Sequence, residues 1–243
     1  MGALPAPWAE RSQIGVQRQL IRPLLVLTDP TDAMTAYYAL MYDPRRVQLT
    51  LHTKPSGQVD AFVAVCQTGR DLFVPLVVMR GPWEPIGDLL RQAMHPGRSY
   101  EVITTPALRD TVGVVMLLEW QRINSVYVLD PSAYRPVINV MVQPGEGPFR
   151  FEVRVNSRAV SASGINWQSS RLAEMYVHSE PGSRGRGWGK AVGARCVQAL
   201  LEAHLLPLYT VAEGSAASQA LARTLGFRDS GAREFECRGR LRP

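Results

Sequence analysis

Arg184-Gly185-Arg186-Gly187-Trp188-Gly189-Lys190 is the stretch that decides the fold of this chain. It follows the strand-like run of residues 172–178 and opens an amphipathic helical pattern that Pro207 ends. Its three glycines, at alternate positions, leave a tight turn without Cβ atoms, so that backbone N–H groups can converge on an anion at the positive end of the helix. The stretch therefore predicts a site for a phosphate-bearing cofactor.

The spacing of the glycines distinguishes between cofactor families that use such a turn. A P-loop requires a glycine five residues before its Gly-Lys pair and a hydroxyl residue after it, and these places hold Arg184 and Ala191. A dinucleotide fingerprint that starts at Gly187 requires a third glycine where Val192 stands. The spacing therefore excludes a P-loop and disfavours a dinucleotide site.

The remaining pattern is Arg-x-x-Gly-x-Gly at Arg184, Gly187 and Gly189, and it resembles the coenzyme A signature of the GNAT superfamily of N-acetyltransferases. Two other segments resemble the family in the same order. Residues 174–178 are similar to its fourth strand, along which the pantetheine arm lies, and residues 215–227 are similar to its second motif, a short helix that ends in Leu-Gly-Phe. The resemblance covers roughly residues 149–241.

The resemblance implies an α/β (α+β) fold with a mixed central sheet flanked by helices, of the GNAT-like acyl-CoA N-acyltransferase type. It also implies acetyl-CoA as co-substrate, a primary amine as acceptor and no metal. The backbone N–H of Val177 is expected to stabilise the oxyanion. Coenzyme contacts are expected from the fourth strand, the glycine-rich loop and the second motif: Met175, Val177, Arg184, Gly185, Arg186, Gly187, Trp188, Gly189, Lys190, Ser215 and Ser218.

Two side chains on the fourth strand are the catalytic candidates. Glu174 is the candidate base, because a carboxylate one residue out of phase with Met175 and Val177 points toward the acceptor side of the strand. Tyr176 shares this parity and is a candidate acid, base relay or wall of the acceptor pocket. Ordinary structural roles for both, such as a salt bridge or packing, stay open at this point.

The sequence departs from the family pattern at two positions of the second motif. Ala222 stands where many members carry the tyrosine that protonates the departing thiolate, and Ser215 stands where asparagine is usual. Tyr209, on the next predicted strand, is an alternative proton donor. Ala222 and a connection from Val177 to Arg184 that is longer than usual in the family motivate a second hypothesis, in which the chain is a non-catalytic acyl-CoA-binding or regulatory protein.

Composition is that of an ordinary globular protein, with 46% hydrophobic and 20% charged residues in a chain of 243. The first residues lack a basic start followed by an apolar run, and no apolar run is long enough to span a membrane. We therefore expect a cytoplasmic protein. The cysteines lie far apart within apolar patterns, which predicts buried reduced thiols at Cys66, Cys196 and Cys237.

A formal net charge of +6 admits a nucleic-acid partner. Outside the glycine-rich loop and the arginine-rich carboxyl end at residues 233–242, however, the basic residues are scattered. This distribution disfavours nucleic-acid binding, and a small-molecule or peptide amine is the expected partner. A homodimer through the strand-rich carboxyl end stays open.

Hydrophobic periodicity predicts the same order of elements in both halves of the chain. In the carboxyl half it predicts two strands of a hairpin, a strand, a helix, a strand, a helix and a final hairpin, at residues 149–155, 159–167, 172–178, 187–205, 208–212, 215–225 and 227–241. In the amino half, after a helix at residues 32–42, it predicts three strands, a helix, a strand, a helix and a strand, at residues 47–53, 59–68, 72–80, 84–94, 100–105, 106–121 and 125–129.

This parallel predicts a tandem of two GNAT-like lobes. Prolines and glycines cluster between residues 130 and 148, which places the boundary there. The predicted domains are a degenerate lobe of residues 1–135 and a catalytic, acetyl-CoA-binding lobe of residues 136–243. Pro82 removes a backbone donor from the turn of the first lobe, and that lobe is expected to supply part of the acceptor wall. The leading hypothesis is transfer of an acyl group by direct attack of the amine in a ternary complex.

Overall fold

The structure is a computed structural model that describes residues 7–69, 71–139 and 141–243. Its contacts divide the chain into two units, of which unit 1 comprises the described residues of Met1–Ile123 and Arg233–Pro243, and unit 2 comprises those of Asn124–Ala232. The units do not follow the chain from end to end, because the last segment belongs with the first unit. The division into lobes of residues 1–135 and 136–243 stays a prediction.

Unit 1 opens with helices α1 (Pro7–Ile21) and α2 (Ala33–Ala36), the latter continued by a π-helical turn at Tyr37–Met41. Next come strands β1 (Val47–Thr53), β2 (Val59–Cys66) and β3 (Leu76–Arg80), helix α3 (Trp83–Ala93), strand β4 (Ser99–Thr104), helix α4 (Arg109–Val115) and strand β5 (Met116–Leu129). Helix α3 buries Ile86, Leu89, Leu90 and Ala93, which share one face at helical spacing. They form a core with Tyr100, Val102, Phe235 and Cys237 of the sheet.

Unit 2 contains the end of β5 and then strands β6 (Val142–Pro144), β7 (Phe151–Val155), β8 (Arg158–Gln168) and β9 (Leu172–Ser179). Helix α5 (Trp188–Glu202), strand β10 (Leu206–Ala212), helix α6 (Ala216–Thr224) and strand β11 (Phe227–Leu241) follow, and β11 enters unit 1 at Arg233. Helix α5 packs against β8 and β9, where Val197 and Leu200 join Met175 in the core.

The two units repeat one order of elements and one pattern of strand pairing. In unit 1, β1, β2 and β3 are antiparallel neighbours and β3 is parallel to β4. In unit 2, β7, β8 and β9 are antiparallel neighbours and β9 is parallel to β10. A helix joins the parallel strands in each unit, α3 in the first and α5 in the second. The chain therefore has a mixed α/β architecture, as the sequence predicted.

The last strand of each series comes from the opposite half of the sequence. The strand beside β10 is the end of β5, with pairs from Leu208↔Val128 to Ala212↔Asn124. The strand beside β4 is the end of β11, with pairs from Phe235↔Thr104 to Arg240↔Ser99. Each unit is thus completed by a strand from the opposite half of the sequence.

Two predicted elements are wrong in part. Residues 116–121 belong to strand β5 and not to a helix, since α4 ends at Val115. The predicted final hairpin is the single strand β11. The residues Asp229-Ser230-Gly231, which are typical of a turn, lie within this strand and do not reverse the chain. The Gly231 N–H donates to Asp229 Oδ1, and the Ser230 hydroxyl donates to the Val126 carbonyl. Residues 72–75, expected to begin a strand, precede β3.

The cysteine prediction is confirmed. Cys66, Cys196 and Cys237 are buried free thiols, and burial raises the pKa of each to about 12. Among the described residues, none of the helices has the length and apolar character needed to cross a bilayer.

Candidate functional site

A cleft opens where two parallel strands separate. The pairing of β9 with β10 ends at the pair of Glu174 with Leu208, and both strands continue beyond it. The cleft has a volume of about 410 Å³. It is lined by the end of β9, the glycine-rich loop, the start of α5, Tyr209 on β10, and the start of α6. Most of the residues predicted to bind the coenzyme line it: Val177, Arg184, Gly185, Gly187, Trp188, Gly189, Lys190, Ser215 and Ser218.

The glycine-rich loop adopts a backbone conformation that other residues avoid. Gly185 and Gly187 both have a φ of 77°, in the left-handed region. Gly187 is also the N-cap of α5, so the amides of Trp188, Gly189 and Lys190 lie in the first helical turn, where a helix supplies no acceptor. The loop therefore presents free amides at the positive end of a helix dipole beside the cleft, which is the arrangement that binds phosphate.

Glycines also let α5 approach β9 closely. A Cβ at Gly189 would lie 3.1 Å from Ser179 Oγ and 3.6 Å from Val177 Cγ1. A Cβ at Gly193, one turn later, would lie 2.8 Å from Leu225 Cδ1 and 3.2 Å from Val177 Cγ2. The missing side chains thus fix the distance between the helix and the strand that forms the cleft wall.

Three exposed cations surround the loop. Arg184 and Lys190 line the cleft, and Arg184 Nε donates to the Ser179 carbonyl at 3.4 Å. The guanidinium of Arg186 lies 5.1 Å from the centre of the Trp188 ring, in a cation–π contact. Arg186 is not among the residues that line the cleft, so its predicted contact with a coenzyme stays a prediction.

Hydroxyl groups lie on the opposite wall of the cleft. Ser215 is the N-cap residue of α6, and its hydroxyl donates to Ser218 Oγ at 2.9 Å. Ser218 is hydrogen bonded to Tyr209, which is 6% exposed. Burial raises the pKa of Tyr209, and the hydrogen bond with Ser218 partly offsets this rise. The cleft therefore contains a phenol that keeps its proton at neutral pH.

Comparison with known proteins identifies the fold. No family model matches the chain, and no curated protein matches it. Among solved structures, the chain is similar to a GCN5-related N-acetyltransferase-like protein from Streptococcus suis 89/1591, with a TM-score of 0.61 and 13% identity over 92% of this chain and 99% of that chain. It is also similar to a GCN5-related N-acetyltransferase from Sphaerobacter thermophilus, with a TM-score of 0.60 and 13% identity over 98% of this chain and 95% of that chain. The chain has the GNAT fold.

A tandem protein of this fold is also among the similar structures. The tandem GNAT protein from the clavulanic acid biosynthesis pathway has a TM-score of 0.58 and 11% identity over 96% of this chain and 97% of that chain. The resemblance recognised in the sequence is confirmed at the level of the fold, including a tandem relative. At these identities the similarity concerns the fold.

The catalytic candidates lie on the face of β9 that points away from α5. Glu174 is 6% exposed, and its carboxylate accepts hydrogen bonds from Asn166 Nδ2 at 3.2 Å and from Trp167 Nε1. It stands at the last paired position of β9, where the strands begin to separate. Tyr176, two residues later, is half-buried on the same face. Neither residue lines the cleft described above.

Met175 lies on the other face of the strand. Its side chain is 1% exposed and packs in the core with Ala173 and Val197. A coenzyme contact at this residue would therefore come from its backbone. The predicted role of Met175 in coenzyme binding stays a prediction.

Sequence reasoning missed a charged cluster on the face that carries Tyr176. Arg150 Nη1 donates to the Tyr176 hydroxyl at 2.7 Å, Arg150 Nε donates to Glu152 Oε1 at 2.7 Å, and Arg154 Nε donates to Glu152 Oε2 at 2.8 Å. The alternation of Arg150, Glu152 and Arg154 along a strand was a usable signal, because alternate residues share a face.

The arginine-rich carboxyl end carries ion pairs. Arg238 lies 3.4 Å from Asp71 and 3.7 Å from Glu119, and Arg240 lies 3.4 Å from Glu119. These carboxylates offset part of the positive charge that a nucleic acid would require.

Proposed function

We propose that the chain is an acyl-CoA-dependent N-acetyltransferase that transfers an acyl group to a primary amine by direct attack in a ternary complex. One observation carries the proposal: a left-handed Gly185 and Gly187 turn at the start of α5, at the mouth of a cleft between separating parallel strands. Free first-turn amides favour a diphosphate, and the adjoining strand edge favours an extended arm.

The residues of the cleft fit coenzyme A. The amides of residues 187–190 and the side chains of Arg184 and Lys190 would hold the diphosphate. The edge of β9 beyond Glu174 would hold the pantetheine arm by strand-like hydrogen bonds, with Val177 and Leu221 as apolar contacts. When bound, the coenzyme supplies an activated acyl thioester. Holding donor and acceptor side by side contributes much of the rate enhancement in such a reaction.

Proton transfer requires a base for the amine and an acid for the leaving sulfur. Glu174 is the proposed base, since it lies where β9 leaves β10 and its carboxylate is oriented by the Trp167 and Asn166 donors. Tyr209 is the proposed acid. It lines the cleft beside Ser218, whereas Ala222, at the position where a tyrosine is usual, is fully buried and carries only a methyl group.

Calorimetry and a thiol-release assay test the proposal. We expect acetyl-CoA to bind, and its hydrolysis-corrected thiol release to depend on added amine. Gly187→Asp should abolish binding, because it places a carboxylate among the phosphate-binding amides. Gly97→Asp is the matched control, since Gly97 has the same φ of 77° and equally open surroundings but lies in unit 1. Equal affinities of the two variants would contradict the proposed site.

The second candidate, a non-catalytic acyl-CoA-binding protein, is favoured by the alanine at position 222. The same experiment separates the two. Tight binding of acetyl-CoA without release of thiol across primary alkylamines, amino acids and peptides would establish the second candidate.

A further inference from the structure

We propose that Arg150 forms a carboxylate-binding site for the acceptor, so that the substrate is an amine that also carries a carboxylate at the far end of an aliphatic spacer. The inference rests on the proposed function and names its substrate class. Four observations carry it: a row across the sheet, a guanidinium fixed from two sides, an excess of positive charge, and its position relative to the separating strands.

The row consists of Arg150, Gly164 and Tyr176. Phe151 pairs with Ser163 and Gly164 pairs with Tyr176, which aligns Arg150, the residue directly before β7, with Gly164 and Tyr176. A Cβ at Gly164 would lie 2.8 Å from the Tyr176 hydroxyl and 2.9 Å from its Cε1. The ring of Tyr176 therefore lies across Gly164. Because Gly164 has no side chain, the Tyr176 hydroxyl can reach Arg150 Nη1, which lies 2.7 Å away.

The guanidinium of Arg150 is fixed before any ligand arrives. Its Nε donates to Glu152, whose side chain is 3% exposed, and its Nη1 donates to Tyr176. On another side, a Cβ at Gly145 would lie 2.9 Å from Arg150 Cγ and 3.0 Å from Glu152 Cδ, so the backbone of the β6–β7 turn packs directly on the pair. A cation held in one geometry loses little conformational entropy when it binds an anion.

The cluster has more positive charge than its own structure requires. Glu152 is the carboxylate shared by Arg150 and Arg154, and one arginine would neutralise it. The two arginines and one glutamate leave this cluster with a net charge of +1, and the Arg150 side chain is 37% exposed. The hydrogen bonds to Glu152 and Tyr176 use Nε and Nη1 of Arg150 and not Nη2, so one edge of the planar guanidinium can donate to a carboxylate of the substrate.

The position of the row sets the distance between amine and carboxylate. Tyr176 follows the last β9–β10 pair by two residues, at the point where the acyl group would emerge. Arg150 directly precedes β7, the second strand away from β9, and its guanidinium contacts the Tyr176 hydroxyl. The length of a tyrosine side chain therefore separates the guanidinium from the backbone of β9. An amine that reaches the separating strands while its carboxylate meets Arg150 needs a spacer of several bonds. Linear ω-amino acids have this form.

Matched acceptors test the inference in wild-type protein saturated with acetyl-CoA. The pairs are 4-aminobutyrate with propylamine and 6-aminohexanoate with pentylamine, which differ only by the carboxylate. We expect at least a tenfold higher kcat/KM for the better ω-amino acid of the series than for its alkylamine. Arg150→Gln should remove this preference mainly by raising the KM of the ω-amino acid to that of its alkylamine, with the calorimetric affinity for acetyl-CoA unchanged.

Arg171→Gln, which removes the same charge from an exposed turn of unit 2, should retain the preference. Because Arg150→Gln deprives Glu152 of a partner, thermal unfolding checks that this variant folds. Arg150→Lys keeps the positive charge but loses the planar guanidinium that can donate two hydrogen bonds to one carboxylate, so it should keep a reduced preference. If acetyl-CoA binds but no amine reacts, calorimetry with 6-aminohexanoate on the coenzyme complex replaces the kinetics. Binding that Arg150→Gln abolishes supports the site, and absence of binding overturns it.

The two proposals fail differently. Equal kcat/KM values for carboxylated and plain amines would overturn the Arg150 site and leave the transferase standing. Absence of acetyl-CoA binding would overturn both.

Discussion

At the scale of single residues, Tyr209 supplies the cleft with the hydroxyl group that the methyl side chain of Ala222 lacks. Tyr209 lines the cleft and is hydrogen bonded to Ser218, and its burial raises its pKa. A raised pKa means that the phenol stays protonated as pH increases through the neutral range, so it is available as an acid over that range.

We expect Tyr209→Phe to lower kcat for acetyl transfer by about 10²-fold, because general acid catalysis typically contributes 10² to 10⁴. The affinity for acetyl-CoA, measured by calorimetry, should stay within a factor of about three, since the hydroxyl is assigned to chemistry rather than to binding. Tyr127→Phe is the control. Tyr127 is buried and pairs with Tyr209 across the β5–β10 ladder, but it does not line the cleft. A kcat of wild-type size in Tyr209→Phe would assign the acid elsewhere.

The three thiols give a prediction that needs no substrate. Burial raises their pKa values to about 12, so almost no thiolate exists in the folded protein at pH 8. An aromatic disulfide reagent should therefore react with none of Cys66, Cys196 and Cys237 before unfolding, and with all of them in guanidinium chloride. The raised thiol pKa values also make stability depend on pH. The free energy of unfolding should fall as pH rises above about 8.5, because the thiols of the unfolded chain ionise there and those of the folded protein do not. Rapid labelling of the native protein would contradict this burial.

At the scale of elements, two helical glycines have opposite surroundings. A Cβ at Gly193 of α5 would press on Leu225 at 2.8 Å and on Val177 at 3.2 Å, whereas a Cβ at Gly113 of α4 meets nothing within 4 Å. We expect Gly193→Leu to lower the free energy of unfolding by about 1–3 kcal/mol through overpacking, and to weaken acetyl-CoA binding by displacing Val177 from the cleft wall.

Gly113→Leu is the matched control and should be neutral or stabilising by up to about 1 kcal/mol, because leucine favours helix more than glycine does. Urea titration with a common m-value measures both. Similar unfolding free energies for the two variants would show that α5 can move away from β9.

The elements that the sequence predicted best are those with local signals. The β9 strand, the loop, α5, β10 and α6 are marked by alternation, by the glycine triplet and by Pro207, and all of them were predicted within a few residues. Residues 116–121 were assigned to a helix because Met116, Leu117 and Trp120 also fit a helical period. Their strand conformation depends on a distant partner, since the backbone of Gly239 packs on the Leu117 carbonyl.

The candidate site shows the same difference between local signals and contacts that depend on distant residues. The glycine loop and its cations were predictable because their chemistry is contiguous in sequence. The contact of Arg150 with Tyr176 was not, because it joins residues 26 positions apart across Gly164, and nothing local indicates that they share a row. The indole donor to Glu174 was hidden as well: a β-bulge between Ile165 and Trp167 brings Trp167 opposite the glutamate.

At the scale of the whole molecule, the long strands β5 and β11 decide how the halves of the sequence become units. The two strands follow equivalent helices, α4 and α6, yet β5 pairs with β10 and β11 pairs with β4. Local pattern does not distinguish these partners from the ones within the same half, so the exchange could not be predicted from the sequence. Its consequence is that a boundary at residue 135 or 136 separates each unit from one of its strands.

This arrangement predicts that the two halves of the sequence do not fold alone. A fragment of residues 1–135 lacks the strand that pairs with β4 from Phe235 to Arg240, and a fragment of residues 136–243 lacks the strand that pairs with β10 from Asn124 to Val128. Each fragment leaves an open, apolar sheet edge, so we expect aggregation and no cooperative thermal transition from either one. Co-expression should restore a soluble complex, because each fragment carries the strand that the other lacks.

Inserting a flexible Gly-Ser linker between Arg135 and Pro136 of the intact chain is the control. The linker disturbs none of these strand pairs, and a surface insertion costs little in loop entropy. The unfolding temperature should therefore stay within a few degrees of the wild-type value, which is roughly the shift that a change of 1 kcal/mol in stability produces. A fragment of residues 136–243 that unfolds cooperatively and binds acetyl-CoA by itself would show that the strand from β5 is dispensable and that unit 2 closes with residues of its own half.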